Sequence, residues 1–414
     1  MGGLPAVFWY LWTGLLINRV GAFAMLFMSL YLTQARGVST ALAGLVVGGY
    51  GVGGVAGTLL GGVLADRWGR RKTLVWSHLA AGVAMAVLGF TANLPVIAVL
   101  SVLLGVVHSV PGPAFVAAIV DVVPEQRRSR AFNLQFWAFN LGMASASLLA
   151  GLLAEASYLA LFLVDAGTTL ATAAVIGLKV PETLDPARRR APATTRAPGL
   201  LTALTDRTFL VFVGLTFVVA VLTAQTPTIL PLAMHADGLS PATYGAVVSL
   251  AGALIVVGQL FVPRLIDPYR KHAVLAISTG LTALGYGALA FVNTAAGYLL
   301  AATIWTIGSM LGAPPNAEIN AELAPPALRA RYQSVFFLSF PAAAFLAPTL
   351  GGVSLQYLGD AHWLVTAAVG LATAGAHLLA GPPRERRVRA GHPLHAATPT
   401  PGVNQPQPTP ADPS

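Results

Sequence analysis

Stretches of mostly apolar residues, each roughly 20 long and so able to cross a bilayer core about 30 Å thick, recur along this chain from Ala6 to Ala380. The 414 residues have room for twelve of them. With 56% hydrophobic and only 9% charged residues, against roughly 25% charged in an ordinary soluble domain, most of the chain has lipid as its solvent. The first stretch, Ala6 to Thr33, is too long for the core of a signal peptide and has no clear cleavage site, so it reads as a first helix kept in the mature protein.

Spans are placed near 6–34, 41–65, 73–92, 95–122, 131–155, 158–179, 208–233, 240–263, 273–293, 296–323, 332–357 and 361–380. This puts 22 of the 24 Lys and Arg residues in alternate loops and the C-terminal tail, leaving Arg36 in an opposite loop and Arg19 inside the first helix. One miscounted helix would scramble that segregation, so it supports an even number of spans, and by the positive-inside rule it predicts cytoplasmic termini. The net charge of +9 is thus spread over loops instead of gathered in a soluble domain that could hold a duplex, which argues against a nucleic-acid partner. With no cysteine, disulfides, thiol catalysis and Cys-ligated metal are excluded; no metal or cofactor is expected.

The chain repeats itself. Asp66 and Asp267 lie 201 positions apart, and the same offset relates Gly37 to Gly238, Ser39 to Ser240, Gly44 to Gly245, Pro113 to Pro314, Pro124 to Pro325, Arg128 to Arg329, Arg130 to Arg331 and Gly151 to Gly352. Asp121 falls opposite Glu322, preserving the charge. Parallel six-helix repeats suit a transporter whose halves rock about a site near the midplane. The expected organisation is an N-terminal six-helix bundle over 1–180, a cytoplasmic linker over 181–206, a C-terminal bundle over 207–381 and a disordered cytoplasmic tail over 382–414.

The second span ends in Gly61-Gly62-Val63-Leu64-Ala65-Asp66-Arg67-Trp68-Gly69-Arg70-Arg71-Lys72. Asp66 at a membrane edge can stabilise the N-terminus of a facing helix, and Arg67 with Arg70 or Arg71 can pair with Asp121 at the end of helix four. These residues closely resemble the cytoplasmic loop signature of the major facilitator superfamily, with a degenerate copy at Pro263 to Lys271. The resemblance covers roughly residues 5 to 381. It implies an all-α polytopic membrane protein of twelve transmembrane helices in two pseudo-symmetric six-helix bundles. It also implies a conformational gate at Gly62, Asp66, Arg67, Gly69, Arg70, Arg71 and Asp121, pressed against helix eleven.

The drug:proton antiporter branch is matched less well. Where that branch carries an arginine early in helix four this chain has Ser101, and where helix five carries Gly-Pro it has Ala146-Ser147, though Gly151 agrees. The resemblance therefore supports a transporter more than it supports proton antiport.

Polar residues inside the spans are the candidates for substrate or coupling. A charge at the bilayer centre costs about 2.5 to 3.5 kcal/mol even on insertion scales, so Arg19 must face protein or water. Asp165, at a similar depth in helix six, is its expected partner. His108 can shuttle protons near neutral pH, and Glu318 is the one carboxylate expected well inside the C-terminal half. Gln225, Asn316, Asn140 and Trp305 add polar or aromatic groups on helices that line the cavity in this fold.

The expected function is secondary active transport by alternating access, exporting amphipathic or hydrophobic small molecules, with protons as the candidate coupling ion. A permease for a small polar or anionic metabolite, held by Arg19 and the asparagines, is the alternative within transport. A non-transporting membrane sensor or scaffold is the alternative outside it. No nucleophile constellation or His-rich metal motif supports an enzyme. The expected setting is the plasma membrane, or the inner membrane of a bacterium, with the lipid bilayer as partner and the monomer as the functional unit.

Overall fold

The computed structural model describes residues 3–184, 200–325 and 328–390, and among them every regular element is helical. Eleven helices are long and apolar enough to cross a membrane: α1 Ala6–Ala35, α2 Thr40–Trp68, α3 Arg70–Phe90, α4 Leu94–Val122, α5 Glu125–Ala156 and α6 Tyr158–Lys179, then α8 Pro241–Gly258, α9 Lys271–Phe291, α10 Ala295–Leu323, α11 Arg331–Leu358 and α12 Ala361–Arg387. Between them α7, Arg207–Thr223, is apolar but 17 residues long, because it breaks into turns over 224–229 before a short helix at Leu230–Ala236. Pro227 and Pro231 account for the break, since each lacks the N–H an unbroken helix needs. Helix α1 is interrupted at the matching depth. Its segments Ala6–Val20 and Ala24–Leu30 flank a turn at Gly21 to Phe23, followed by a π turn at Tyr31–Ala35.

The 201-residue offset governs how helices start and meet. Ser39 caps α2 by accepting from the Leu42 N–H, and Ser240 caps α8 by accepting from the Thr243 N–H. Asn93 and Thr294, also one offset apart, cap α4 and α10 in the same way. The halves touch through a matched pair of glycine contacts: a Cβ on Gly44 would lie 2.1 Å from the Pro348 carbonyl oxygen, and one on Gly245 would lie 2.4 Å from that of Ser147. Only glycine permits such an approach of α2 to α11 and α8 to α5. Each contact ends in the same latch, Ala41 N–H donating to Gln356 Oε1 (2.9 Å) and Ala242 N–H to Glu155 Oε1 (3.3 Å).

Both latches lie away from the basic loops. Toward the basic end of α2, a Cβ on Gly62 would meet nothing within 4 Å among the described residues, and the Asp66 side chain is 76% exposed. Among the described residues the halves are therefore closed at the end opposite the basic loops and parted at the basic end.

Two expected boundaries change. Helix α12 continues through Pro382 and Pro383 to Ala390 instead of giving way to a disordered tail at 382. The extension docks on the C-terminal half: Arg387 forks onto both oxygens of Asp206, which also accepts from Tyr332 Oη (2.9 Å), and His272 pairs with Glu385. Burial pushes the Asp206 carboxyl up, but the hydrogen bonds from Arg387, the Phe209 N–H and Tyr332 outweigh it and hold the group below the usual carboxylate range. Within the expected linker, Leu200–Thr205 is helical. The rest of that linker over 185–199, and the tail over 391–414, lie outside the described residues.

Candidate functional site

The break in α1 organises the polar interior. A helical segment starting in mid-membrane leaves N–H groups without an intrahelical acceptor. Asp165 of α6 supplies one: its Oδ2 accepts from the Phe23 N–H (3.1 Å) and the Ala24 N–H (3.0 Å), while Oδ1 accepts from Thr169 Oγ1 (3.4 Å). Thr169 in turn accepts from Asn18 Nδ2 (3.2 Å), and Thr172 Oγ1 donates to the Gly14 carbonyl (3.0 Å). A Cβ on Gly21 would fall 1.8 Å from Thr168 Oγ1, so α6 lies directly against the turn.

The expected ion pair between Arg19 and Asp165 is not made. The backbone donors of the break take the carboxylate, and the Arg19 guanidinium instead lies 4.6 Å above the Phe139 ring, a cation–π arrangement. Its buried Nε has no hydrogen-bond partner among the described residues. Arg19 and Asp165 nevertheless face one cavity of about 490 Å³, within the range of small-molecule sites. All its lining residues except Pro227 come from the N-terminal half. On its polar side stand Asn18, Tyr50, His78, His108 and Gln135, with Tyr50 Oη 3.3 Å from His108 Nδ1 and His78 Nδ1 donating to the Leu74 carbonyl (2.7 Å). Leu15, Met25, Leu26, Val107, Phe115 and Met143 make the apolar side. A second hollow of about 470 Å³ between α3 and α6 is walled by outward-facing Val83, Val87 and Phe90, and belongs to the lipid-facing surface.

Of the other candidates, His108 joins this cavity and the C-terminal group does not. Glu318 is displaced to the basic end, 56% exposed and 2.8 Å from Lys271. Buried Gln225 accepts from His362 Nε2 (2.6 Å) and donates to Thr366 Oγ1 (3.3 Å), packing the turn in α7. Asn316 accepts from Thr216 Oγ1 (3.0 Å), and Asn140 donates to the Phe136 carbonyl of its own helix (2.9 Å). Trp305 is stacked on Tyr286, centroids 5.0 Å apart, in a column that continues to Trp363. Asn18, Tyr50, His78 and Gln135 were not singled out from the sequence; a histidine or tyrosine in mid-span was the available signal.

At the loop motif, Gly69 sits at φ +106, a backbone state that favours glycine, so α3 follows α2 with no other residue between. Buried Arg70 reaches Asp121 (Nε to Oδ2, 3.1 Å) and Asp66 (3.2 Å) and donates to the Ala65 carbonyl (2.9 Å). Its N–H donates to Glu182 (2.8 Å), and Arg71 donates to the Gly177 carbonyl. Arg67 is exposed at the end of α2. One offset on, Lys271 pairs with Glu322.

Two halves joined by a repeated latch, a broken first helix in each and a repeated ion pair behind the basic loop define a particular scaffold. The sequence model of the Major Facilitator Superfamily matches residues 11–348 and 226–406. The chain belongs to the Major Facilitator Superfamily. It is similar to the MFS-type transporter YhjO of Bacillus subtilis (strain 168), 28% identical over 369 residues that cover 88% of this chain and 90% of that one. It is also similar to a Na(+), Li(+), K(+)/H(+) antiporter of Planococcus maritimus, 24% identical over 359 residues, 79% of this chain and 84% of the relative. Among solved structures, the nucleoside transporter NupG superposes with a TM-score of 0.73 at 14% identity, covering 91% of this chain and 99% of NupG, a likeness of fold. The protein is thus a membrane transporter of this superfamily.

Proposed function

We propose that this transporter carries small organic solutes with one anionic or strongly accepting end, by alternating access. The observation that carries the reading is the Arg19 guanidinium, which stands in a cavity of solute size with no carboxylate of the described residues paired to it. A buried guanidinium offers planar, charge-assisted donors that suit a carboxylate, and Phe139 with the apolar wall accommodates a hydrocarbon or ring. With the basic loops in the cytoplasm, as the positive-inside rule requires, the conformation described is the one open to the cytoplasm. Export of amphipathic compounds with no acidic group is the second reading, and the apolar wall favours it.

Flux through proteoliposomes separates the two, using a panel of aromatic and aliphatic carboxylates beside their uncharged amides. The acids should be carried in preference. Arg19→Gln should lower their affinity roughly tenfold to hundredfold, the worth of a charged hydrogen bond at about 1.5–3 kcal/mol, and leave the amides nearly unchanged. Equal handling of acids and amides would replace this reading with the second; no flux for any compound by the folded protein would favour a sensor.

A further inference from the structure

The two broken helices are held by different chemistry. In the C-terminal half the turn of α7 is closed by the Gln225 carbonyl, which accepts from the Thr228, Ile229 and Leu230 N–H groups, and the Gln225 side-chain amide donates to the hydroxyl of Thr366 on α12. In the N-terminal half the turn of α1 is gripped by Asp165 of α6 through the Ala24 N–H. Thr366 lies 201 positions after Asp165, and Gln225 lies 201 after Ala24. The turn of α7 is thus held without a charged group, and the turn of α1 by a carboxylate on its backbone N–H groups. A carboxylate inside a membrane carries a desolvation cost that the neutral contacts of the other half avoid, so a turn at this depth does not by itself require one.

We propose that Asp165 takes up the coupling proton, and that its protonation loosens the outer segment of α1. The inference rests on reading the chain as an alternating-access transporter. The ionised carboxylate gives two charge-assisted hydrogen bonds to the start of Ala24–Leu30; a proton on it weakens both. That segment packs across to the other half, with Phe27 against Tyr244, ring centroids 5.2 Å apart. The proton site is therefore one short helix away from the closure between the halves. The proton enters from water in the open cavity, converts the carboxylate to the acid, and leaves to the other phase once the halves have exchanged access.

Other titratable or charged groups share the cavity: Arg19 on α1, Tyr50 on α2, His78 on α3 and His108 on α4. The part of α5 that faces it contributes the neutral Gln135 and Phe139. A proton on Asp165 leaves Arg19 as the one permanent charge among the lining residues, so an anionic solute and the proton favour each other's binding.

Two readouts need no substrate. Because the chain has no cysteine, spin labels can be placed at Leu178→Cys and Leu379→Cys, exposed positions one offset apart near the basic ends of α6 and α12. The ionised form matches the conformation described, so acidification from about pH 8 to about pH 5 should shift the label-distance populations toward closure of the basic end by at least about threefold. Over the same range infrared difference spectra should show a protonated carboxyl band. Asp165→Thr, which copies the other half, and Asp165→Asn should fold, remove the band and flatten the pH response. A missing band in the parent protein, or a band or pH response that survives in Asp165→Thr, overturns the proposal. Distances that change with pH but not with residue 165 would leave alternating access standing and assign the proton elsewhere. A single distance under all conditions, with the band present and lost on substitution, would keep Asp165 as a proton site and count against the transport cycle itself.

Discussion

In the N-terminal half Arg19, Tyr50, His78 and Asp165 meet around a cavity; 201 positions on, the same places hold Ala220, Ala251, Thr279 and Thr366. Where one half keeps a hollow lined by ionisable groups, the other is filled by the Trp305–Tyr286–Trp363 column and the Gln225–His362 pair. At the surfaces where helices touch, the halves agree down to the glycine and the capping residue. The repeat is kept where the chain must fold and close, and it lapses around the cavity. Chemistry in such a protein is therefore to be sought among residues whose repeat counterpart cannot do the same job.

The ion pairs behind the loops test the comparison most severely. Arg70 is buried and Lys271 half-exposed, so equivalent truncations should have unequal costs. Asp121→Ala, which strips a buried guanidinium of one carboxylate, should lower stability by about 3 kcal/mol, the low end for a broken buried pair because Asp66 remains 3.2 Å away. Glu322→Ala should cost under about 1 kcal/mol, since Lys271 is more exposed and keeps Glu318. Denaturation in detergent measures both, and equal losses would mean that burial does not distinguish the halves. At the closure the halves should behave alike. Gly44→Val and Gly245→Val each force apart a contact that admits no Cβ; overpacking of about 1–3 kcal/mol should shift the population toward the form open on the far side by roughly tenfold in either half. A response in only one of them would show that the two contacts share geometry and not energy.

The smallest effect concerns the docked end of α12. Asp206 is held below its unfolded value, so its contribution is fully present above about pH 4 and is lost as pH falls further through the folded value. Hydrogen exchange over residues 382–387 should accelerate in that acid window, and Arg387→Ala should accelerate it at neutral pH as well. Unchanged protection in the variant would remove the Asp206 contact as the reason the helix continues.

Spans, repeat and loop motif were legible in the sequence because each depends on residues near one another in the chain or on a fixed offset. The interior was legible only in part. Depth and sign paired Arg19 with Asp165, but two backbone N–H groups exposed by the turn at Gly21 to Phe23 are acceptor-seeking too, and side-chain bookkeeping does not count them. Glu318 was placed by depth alone; one turn from Glu322, it shares that residue's partner Lys271. A disordered tail was expected from 382, and the helical extension is held by Arg387 on Asp206, residues 181 positions apart in sequence.

The paired latches have a mechanical corollary. Gln356 and Glu155 each reach from one half to the first turn of a helix in the other, on opposite sides of the seam. Releasing one alone would leave the halves pinned along one edge, twisting without separating. Opening of the far side would then require both bolts to be drawn together, so the two seams would be coupled within a single chain.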